Sequence, residues 1–387
     1  MKDLMIITSY YPPEIGAASN RIFHLANGLK EDYSITVVTP LPNYPTGKIF
    51  KGYKGTFKKT EIHDGLKVHR LWLYATNSKN KLQRLVAMLS YSFSILVFFT
   101  FNKIPKKVIV QSPPLLVAFT SLFFLRSKKR QLILNVSDLW PSAGLELGAL
   151  KPSFSYRLLQ KIERFNYKKA DLILGQSEEI LTHVISIFPK KKTFLYRNFP
   201  DFEPPNLTES KQLSNSKIKL VYAGLLGIAQ GIFKLCKELD YDTIEFHIYG
   251  SGSEEETIRN FITENPDLPI VFHGRLDRDQ LHAELLKYDL TIIPLLNRIY
   301  GSVPSKIFEY ARLGLPMLYF GGGEGEEIIK QHHLGWVAEV NNYRALNNVL
   351  NTINIKELSQ IKRIQVQKTA LENFSFSNQL QELKKEL

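Results

Sequence analysis

A lysine and a glutamate, Lys306 and Glu309, lie one helical turn apart between two apolar runs that predict buried parallel strands. The helix would begin at Ser305 and end at Gly314, a residue type that commonly ends helices. A helix N-terminus that follows a strand is where α/β sheets bind phosphate and ribose. The lysine would contact the negatively charged phosphate, and the glutamate would accept a hydrogen bond from a ribose hydroxyl. A capped surface helix with one ion pair explains the same residues, and this stretch alone favours neither interpretation.

Predicted strands alternate with helical patterns along the chain. The first half contains seven of them, at residues 3–11, 34–39, 65–74, 107–111, 131–136, 171–176 and 193–196. The second half contains six, at residues 219–223, 244–249, 270–273, 290–294, 317–320 and 336–340. This alternation predicts an α/β fold with two doubly wound parallel sheets. Several strands of the second half end in glycine, where the backbone can approach a ligand closely.

Proline and polar residues concentrate near residue 200 and predict an interdomain linker. We therefore expect an N-terminal domain at 1–198, a linker at 199–216 and a C-terminal domain at 217–365. Both domains should be Rossmann-like and face a cleft. The last segment, 366–387, is a candidate helix for packing back on the N-terminal domain.

The net charge of the chain limits the kinds of partner that it can bind. The chain of 387 residues carries a formal net charge of +13, which favours an anionic partner such as nucleic acid, a membrane surface or a phosphorylated substrate. Its basic residues match no nucleic-acid-binding module, so we expect no nucleic acid partner.

The single cysteine, Cys236, excludes an intramolecular disulfide. The N-terminus lacks the layout of a signal peptide, and a cytoplasmic location is therefore expected.

An uncharged apolar segment, residues 85–101, interrupts this pattern. It reaches the lower length limit of a membrane-spanning helix. A span would put the strands of one sheet on opposite sides of a bilayer, so we reject it. Two interpretations stay open: a helix buried against the sheet, and a helix in the membrane interface whose basic flanks meet anionic lipids.

The combined motifs resemble the GT-B glycosyltransferases of family 4, and most closely the subgroup that builds bacterial O-antigen, capsule or colanic acid, typified by a fucosamine transferase. The motifs that carry this resemblance are Tyr11-Pro-Pro-Glu-Ile-Gly16, Pro42-Asn-Tyr-Pro-Thr-Gly47, Asp138-Leu-Trp-Pro141, Pro304-Ser-Lys-Ile-Phe-Glu-Tyr-Ala-Arg-Leu-Gly-Leu-Pro316 and Gly323-Glu-Gly325. Each motif is weak alone, but together they are specific and cover nearly the whole chain.

The resemblance implies a nucleotide-sugar donor held by the C-terminal domain. Glu309 matches the glutamate that binds the ribose hydroxyls, and Lys306 lies where the subgroup places a lysine near the diphosphate. The full set of candidate donor-binding residues is Gly16, Gly224, Tyr249, Gly250, Gly252, Arg275, Ser305, Lys306, Glu309, Glu324 and Gly325. Asp138 is the candidate for contacting the acceptor hydroxyl or positioning the sugar, with a helix N-cap as the alternative. Asp138, Lys306 and Glu309 are thus the candidate catalytic residues, and no metal is expected.

Two features depart from the family pattern. An arginine and a lysine usually follow the first strand of the C-terminal domain, but Leu225 and Gln230 occupy those positions. The family also pairs two glutamates eight positions apart, and Gly301 stands in place of the first. The candidates that remain for neutralising the diphosphate are Lys306, Arg275 and Arg298.

The resemblance implies a retaining hexosyltransferase without a cofactor. Its donor would be UDP-linked, with an N-acetylamino sugar such as GlcNAc or FucNAc. Its acceptor would be a sugar linked to polyprenyl diphosphate, reached by peripheral contact with the anionic inner face of the plasma membrane. A UDP-sugar 2-epimerase and a non-catalytic GT-B scaffold protein are the alternatives.

Overall fold

A computed structural model describes residues 1–387 except for residues 79, 147, 208–216, 229 and 297–299. The chain divides into two compact units. The first comprises Met1–Asn198, Ile299–Ser302 and Ser377–Leu387, and the second comprises Phe199–Arg298 and Val303–Phe376. Much of the expected linker, residues 208–216, lies outside the described residues, as does Arg298.

An eight-stranded sheet forms the centre of the first unit. Its strands are β1 (Lys2–Ile7), β2 (Tyr33–Pro40), β3 (Lys58–His63), β4 (Leu66–Leu71), β5 (Lys107–Ser112), β6 (Gln131–Val136), β7 (Leu172–Gly175) and β8 (Thr193–Leu195). They lie in the order β3-β4-β2-β1-β5-β6-β7-β8. Only β3 pairs antiparallel, as a hairpin with β4. The sequence analysis missed β3, since this edge strand is polar and never fully buried.

Helices connect these strands. They are α1 (Ala17–Leu29), α2 (Lys81–Phe101), α3 (Leu115–Leu125), α4 (Ser142–Glu146), α5 (Phe154–Lys169) and α6 (Glu178–Ile187), with a 3₁₀ turn at Lys51–Tyr53. The segment 85–101 therefore belongs to a helix of 21 residues. Its neighbours in the chain, β4 and β5, both belong to the first sheet.

A six-stranded parallel sheet forms the centre of the second unit. Its strands are β9 (Ile218–Leu225), β10 (Ile244–Ser251), β11 (Ile270–Gly274), β12 (Leu290–Pro294), β13 (Met317–Phe320) and β14 (Gly335–Ala338). They lie in the order β11-β10-β9-β12-β13-β14. All six were predicted, and the prediction of two Rossmann-like α/β domains with parallel sheets is confirmed.

The helices of the second unit follow the same alternation. They are α7 (Ile232–Glu238), α8 (Glu255–Glu264), α9 (Arg278–Leu285), α10 (Lys306–Arg312), α11 (Glu324–Gln331), α12 (Tyr343–Thr352) and α13 (Gln360–Asn373), with a 3₁₀ turn at Ile355–Leu358. The expected single helix over 366–387 is two helices. Helix α13 belongs to the second unit, whereas most of α14 (Phe376–Glu386) groups with the first.

The central strand β9 is covered on both faces. Leu220 and Tyr222 pack into one apolar cluster, and the alternate residues Val221 and Ala223 pack into another. Successive side chains of a strand point to opposite faces, so a strand covered on both sides reads as a continuous apolar run. This burial on both faces holds β9 in the middle of the second unit.

Two glycines bring the ends of β9 and β10 together. Gly250 lies opposite Gly224 in the pairing of the two strands. Its φ is +144°, and a Cβ at Gly250 would lie 1.8 Å from the carbonyl oxygen of Gly224. Close approach of two backbones thus explains Gly250, whereas we had attributed the strand-end glycines to close approach of a ligand.

We expect Gly250→Ala to destabilise the second unit by about 2 kcal/mol or more, since alanine adds both a backbone clash and an unfavourable φ. Calorimetric unfolding would measure the loss. Gly52→Ala is the matched control, because a Cβ at Gly52 meets nothing within 4 Å. Equal melting temperatures for the two variants would contradict this account of Gly250.

Candidate active site

The side chain of Lys306 reaches the carboxyl end of β9. Its Nζ donates a hydrogen bond to the carbonyl oxygen of Ala223 and lies 4.6 Å from the centre of the Tyr222 ring. Tyr310, one turn further along α10, donates to the same carbonyl over 3.1 Å. A Cβ at Gly224 would overlap the Lys306 ammonium. Because Gly224 has no side chain, the Lys306 ammonium can occupy the space beside it.

Glu309 lies on the same helix and is held by two side chains of α9. Its Oε1 accepts from His282 Nε2 over 2.8 Å and from Arg278 Nε over 3.3 Å. The Glu309 side chain is 23% exposed and that of His282 is 13% exposed. The carboxylate thus lies at the surface of the second unit in a fixed orientation.

Burial and charge act differently on the two site residues. Burial lowers the pKa of Lys306 to about 8, and the charge of Glu309 opposes this shift. Burial also raises the pKa of Glu309, but the hydrogen bond from His282 and the charges of Arg278, His282 and Lys306 outweigh it, so this pKa lies below its usual value. At neutral pH the site therefore combines a largely protonated amine with an ionised carboxylate.

The glycine-rich turn after β13 lies beside α10. Glu324 is buried and begins α11, and the preceding Gly323 adopts a φ of +76°. A Cβ at Gly325 would lie 2.5 Å from the Tyr319 hydroxyl and 3.2 Å from Ile307 of α10. Packing within the unit thus accounts for Gly325, and it brings the first turn of α11 next to the helix that carries Lys306 and Glu309.

Ser305 directly precedes α10, as expected for a helix start, although its side chain makes no capping hydrogen bond. Gly252 lies just beyond β10, where a Cβ would lie 2.3 Å from the carbonyl oxygen of Leu226. The packing of backbone on backbone explains this glycine too.

Tyr249 and Arg275 are two further predicted donor-binding residues. Tyr249 lies in the core, where its hydroxyl hydrogen-bonds Tyr288 over 2.8 Å and its ring stacks on His273. Its side chain therefore packs inside the unit, whereas the sequence predicts a residue that lines a base pocket. Arg275 follows the edge strand β11 and is exposed.

Asp138 lies after β6 in the first unit. Helix α4 begins only at Ser142, so Asp138 is not its N-cap, and the alternative structural explanation fails. Burial raises the pKa of Asp138 to about 6, and the charge of Arg21 opposes the shift. Arg21 is itself buried and hydrogen-bonds the Asn135 side chain over 2.8 Å. Asp138 therefore titrates close to neutral pH in a polar part of the first unit.

Glu14 joins two of the loops singled out in the sequence. Its buried carboxylate accepts from the backbone N–H of Asn43 over 2.8 Å and from that of Tyr44 over 2.9 Å. Gly16, two residues further, precedes α1, and a Cβ there would meet only Tyr44, at 3.8 Å. Packing therefore does not require glycine at this position, and glycine is among the residue types commonly found at a helix N-cap.

The backbone of Gly301 is held by two side chains of the first unit. Gly301 N donates to Glu179 Oε2 over 2.8 Å, and the Ser177 hydroxyl donates to Gly301 O over 2.7 Å. The φ of Gly301 is +83°, and a Cβ would lie 2.8 Å from Ile180. A glutamate side chain does not fit this conformation.

Sequence reasoning missed His282, Arg278 and Glu14 as site residues. His282 and Arg278 precede Glu309 by about 30 residues and lie on a helix with no recognised motif. Glu14 was inside a quoted motif, but its contact with residues 43 and 44 depends on the fold. In the sequence, Glu14 is marked only by its place in the motif Tyr11-Pro-Pro-Glu-Ile-Gly16.

Comparisons with known proteins agree with this fold. A family described as "Glycosyl transferase 4-like domain" matches residues 16–195. A family described as "Glycosyl transferases group 1" matches residues 219–353. No curated protein matches the sequence significantly.

Several solved structures share the architecture over their whole length. Sucrose-phosphate synthase from Thermosynechococcus elongatus superposes with a TM-score of 0.74 at 12% identity, over 100% of this chain and 98% of that one. Anabaena HepE in complex with UDP-glucose superposes with a TM-score of 0.67 at 14% identity, over 100% of each chain. WaaG, a glycosyltransferase involved in lipopolysaccharide biosynthesis, superposes with a TM-score of 0.65 at 11% identity, over 98% of each chain.

At these identities the structural matches establish the fold, whereas the two family matches together span most of both units. The prediction of a transferase is confirmed. The chain is a glycosyltransferase with the GT-B fold, built from a glycosyl transferase 4-like domain and a glycosyl transferases group 1 domain.

Proposed function

We propose that the protein transfers a sugar from a UDP-linked donor to a lipid-linked acceptor, with retention of anomeric configuration, in the assembly of a bacterial surface polysaccharide such as O-antigen or capsule. The observation that carries the donor proposal is the pair Lys306 and Glu309, which presents a cation and an ionised carboxylate from one helix at the end of β9. UDP-glucose in the HepE complex supports the choice of nucleotide.

The chemistry follows from the charge of the donor. A nucleoside diphosphate brings negative charge and two ribose hydroxyls, which match the ammonium of Lys306 and the carboxylate of Glu309. More charge develops on the diphosphate as the glycosidic bond breaks, and a positioned cation stabilises it. We propose that Lys306 supplies this charge without a metal, and that the leaving phosphate takes the acceptor proton while Asp138 contacts the acceptor.

Calorimetric titration with UDP and UDP-GlcNAc tests the donor proposal. We expect the wild-type protein to bind both, and Glu309→Gln to weaken binding by about tenfold to a hundredfold, because it replaces a charged acceptor. Glu255→Gln is the matched control, since among the described residues the Glu255 carboxylate pairs only with Arg259 on α8. A wild-type protein that binds no UDP-sugar would exclude this donor, and transfer with inversion would exclude the retaining mechanism.

Affinity for UDP should depend on pH through Lys306. The pKa of this lysine is about 8, so at higher pH the free protein loses the proton that diphosphate binding needs. We expect UDP affinity to fall as pH rises from 8 to 9.5, by up to about tenfold per pH unit. Lys306→Met should bind weakly at every pH in this range, whereas exposed Lys330→Met should behave as wild type. A pH-independent wild-type affinity would contradict this role.

Helix α2 supports a location at a membrane. By length and composition it is long and apolar enough to cross one, a test that core helices also pass. A crossing would separate β4 from β5, which belong to one sheet. Only one side of α2 is buried, around Tyr91, Ile95 and Phe98. The opposite side exposes apolar side chains at spacings of three and four residues, namely Leu82, Leu85, Val86, Leu89, Phe93, Val97 and Phe101.

The charge around α2 complements an anionic surface. Residues 65–137 contain 12 lysines and arginines and neither aspartate nor glutamate. Lys81 and Arg84 at the start of α2 are exposed, as are Lys103 and Lys106 just after it. An exposed apolar stripe with basic flanks is the pattern of a helix lying in the membrane interface. We propose that α2 holds the protein on the cytoplasmic face of the plasma membrane, where a polyprenyl-linked acceptor resides.

Replacing Leu89, Phe93 and Val97 together by glutamine should weaken binding to vesicles that contain phosphatidylglycerol by about a hundredfold, at roughly 1 kcal/mol for each partly inserted side chain. Cosedimentation would measure it. The matched control replaces Ile361, Ile364 and Leu371, three exposed apolar residues of α13. Equal vesicle binding by both triple variants would refute the role of α2.

A further inference from the structure

We propose that His282, assisted by Arg278, is a positioning residue that holds Glu309 so that one carboxylate oxygen is left for the ribose of the donor. This inference rests on the proposed use of a UDP-sugar and deepens it. It adds a specificity determinant from α9, a helix outside the motifs that carry the family resemblance.

The two oxygens of Glu309 are used unequally. Both hydrogen bonds, from His282 Nε2 and Arg278 Nε, end on Oε1. Across the part of the chain that the structure describes, no hydrogen-bond donor contacts Oε2. A carboxylate has about four acceptor positions, so Oε2 keeps its full capacity for the ribose hydroxyls. Two donors on one oxygen also restrict rotation of the carboxylate, which a single contact would not do.

His282 is better placed than an ordinary surface partner. Its ring packs on Phe202 with 4.5 Å between ring centres, and its side chain is largely buried. The backbone carbonyl of Phe202 in turn accepts from Arg312 Nε at the end of α10. The segment around Phe202 therefore ties the helix that carries His282 to the helix that carries Glu309, so the spacing of the two side chains is set by packing.

The contact also fixes the proton on His282. An ionised carboxylate only accepts hydrogen bonds, so Nε2 of His282 must donate. The lowered pKa of Glu309 is consistent with this arrangement, because the His282 hydrogen bond is the largest influence that favours its ionised form. A leucine at position 282 would keep packing on Phe202 but lose the donor, and a glutamine would keep a donor.

The test compares UDP with 2′,3′-dideoxy-UDP, which lacks the ribose hydroxyls. We expect the wild-type protein to bind UDP about tenfold to a hundredfold more tightly. His282→Leu should reduce that ratio at least about fivefold by weakening UDP binding alone, and His282→Gln should restore most of it. Arg278→Met should reduce the ratio less, since its side chain is 42% exposed. Arg259→Met on α8 is its matched control and should leave the ratio unchanged.

The outcomes separate this inference from the donor proposal. A wild-type protein that binds neither nucleotide, or binds both equally, overturns the proposed donor site and the positioning role with it. A wild-type protein that discriminates, beside a His282→Leu variant that discriminates equally well, overturns the positioning role alone. Equal weakening of both nucleotides by His282→Leu also overturns it, because that result reports general damage. Discrimination lost in His282→Leu and regained in His282→Gln supports it.

Discussion

The candidate site depends on one hydrogen bond, from the ammonium of Lys306 to the carbonyl oxygen of Ala223 at the end of β9. That carbonyl lies two residues before the end of β9, and the ammonium fits because residue 224 has no side chain. Removing a charged amine from water costs free energy, which is why burial lowers the pKa of Lys306. An anion at this point would recover part of that cost, so a site that is unfavourable when empty suits a diphosphate.

The two candidate catalytic carboxylates show how surroundings assign different properties to one chemical group. Burial dominates at Asp138 and raises its pKa towards neutrality, because the charge of Arg21 offsets only part of the effect. At Glu309 the donors on α9 and the charge of Lys306 outweigh burial. One carboxyl group can therefore exchange a proton near neutral pH, whereas the other remains an acceptor. These properties match contact with an acceptor hydroxyl in one unit and with ribose in the other.

Local sequence patterns predicted the fold well, because strands that are buried on both faces give apolar runs that need no knowledge of their neighbours. They failed for β3, whose polar edge sequence differs little from a loop. The site was predicted only as far as a motif reached. Lys306 and Glu309 lie on one helix and were found together. His282 meets Glu309 only because α9 packs beside α10, and the ring of Tyr249 is buried because an apolar cluster from other elements covers its face of β10. Neither result can be read from spacing along the chain.

Gly301 stands where the family pattern has a glutamate, yet the position is fully packed. The family pattern has a carboxylate at this position, and this chain has a backbone turn with positive φ, enclosed by Ile180 and Leu139. A different carboxylate, Glu179, accepts from the Gly301 amide. In this chain the position therefore presents no side chain and anchors a loop within the first unit through its backbone. The contacts described above for Lys306 and Glu309 lie within the second unit and do not include Gly301.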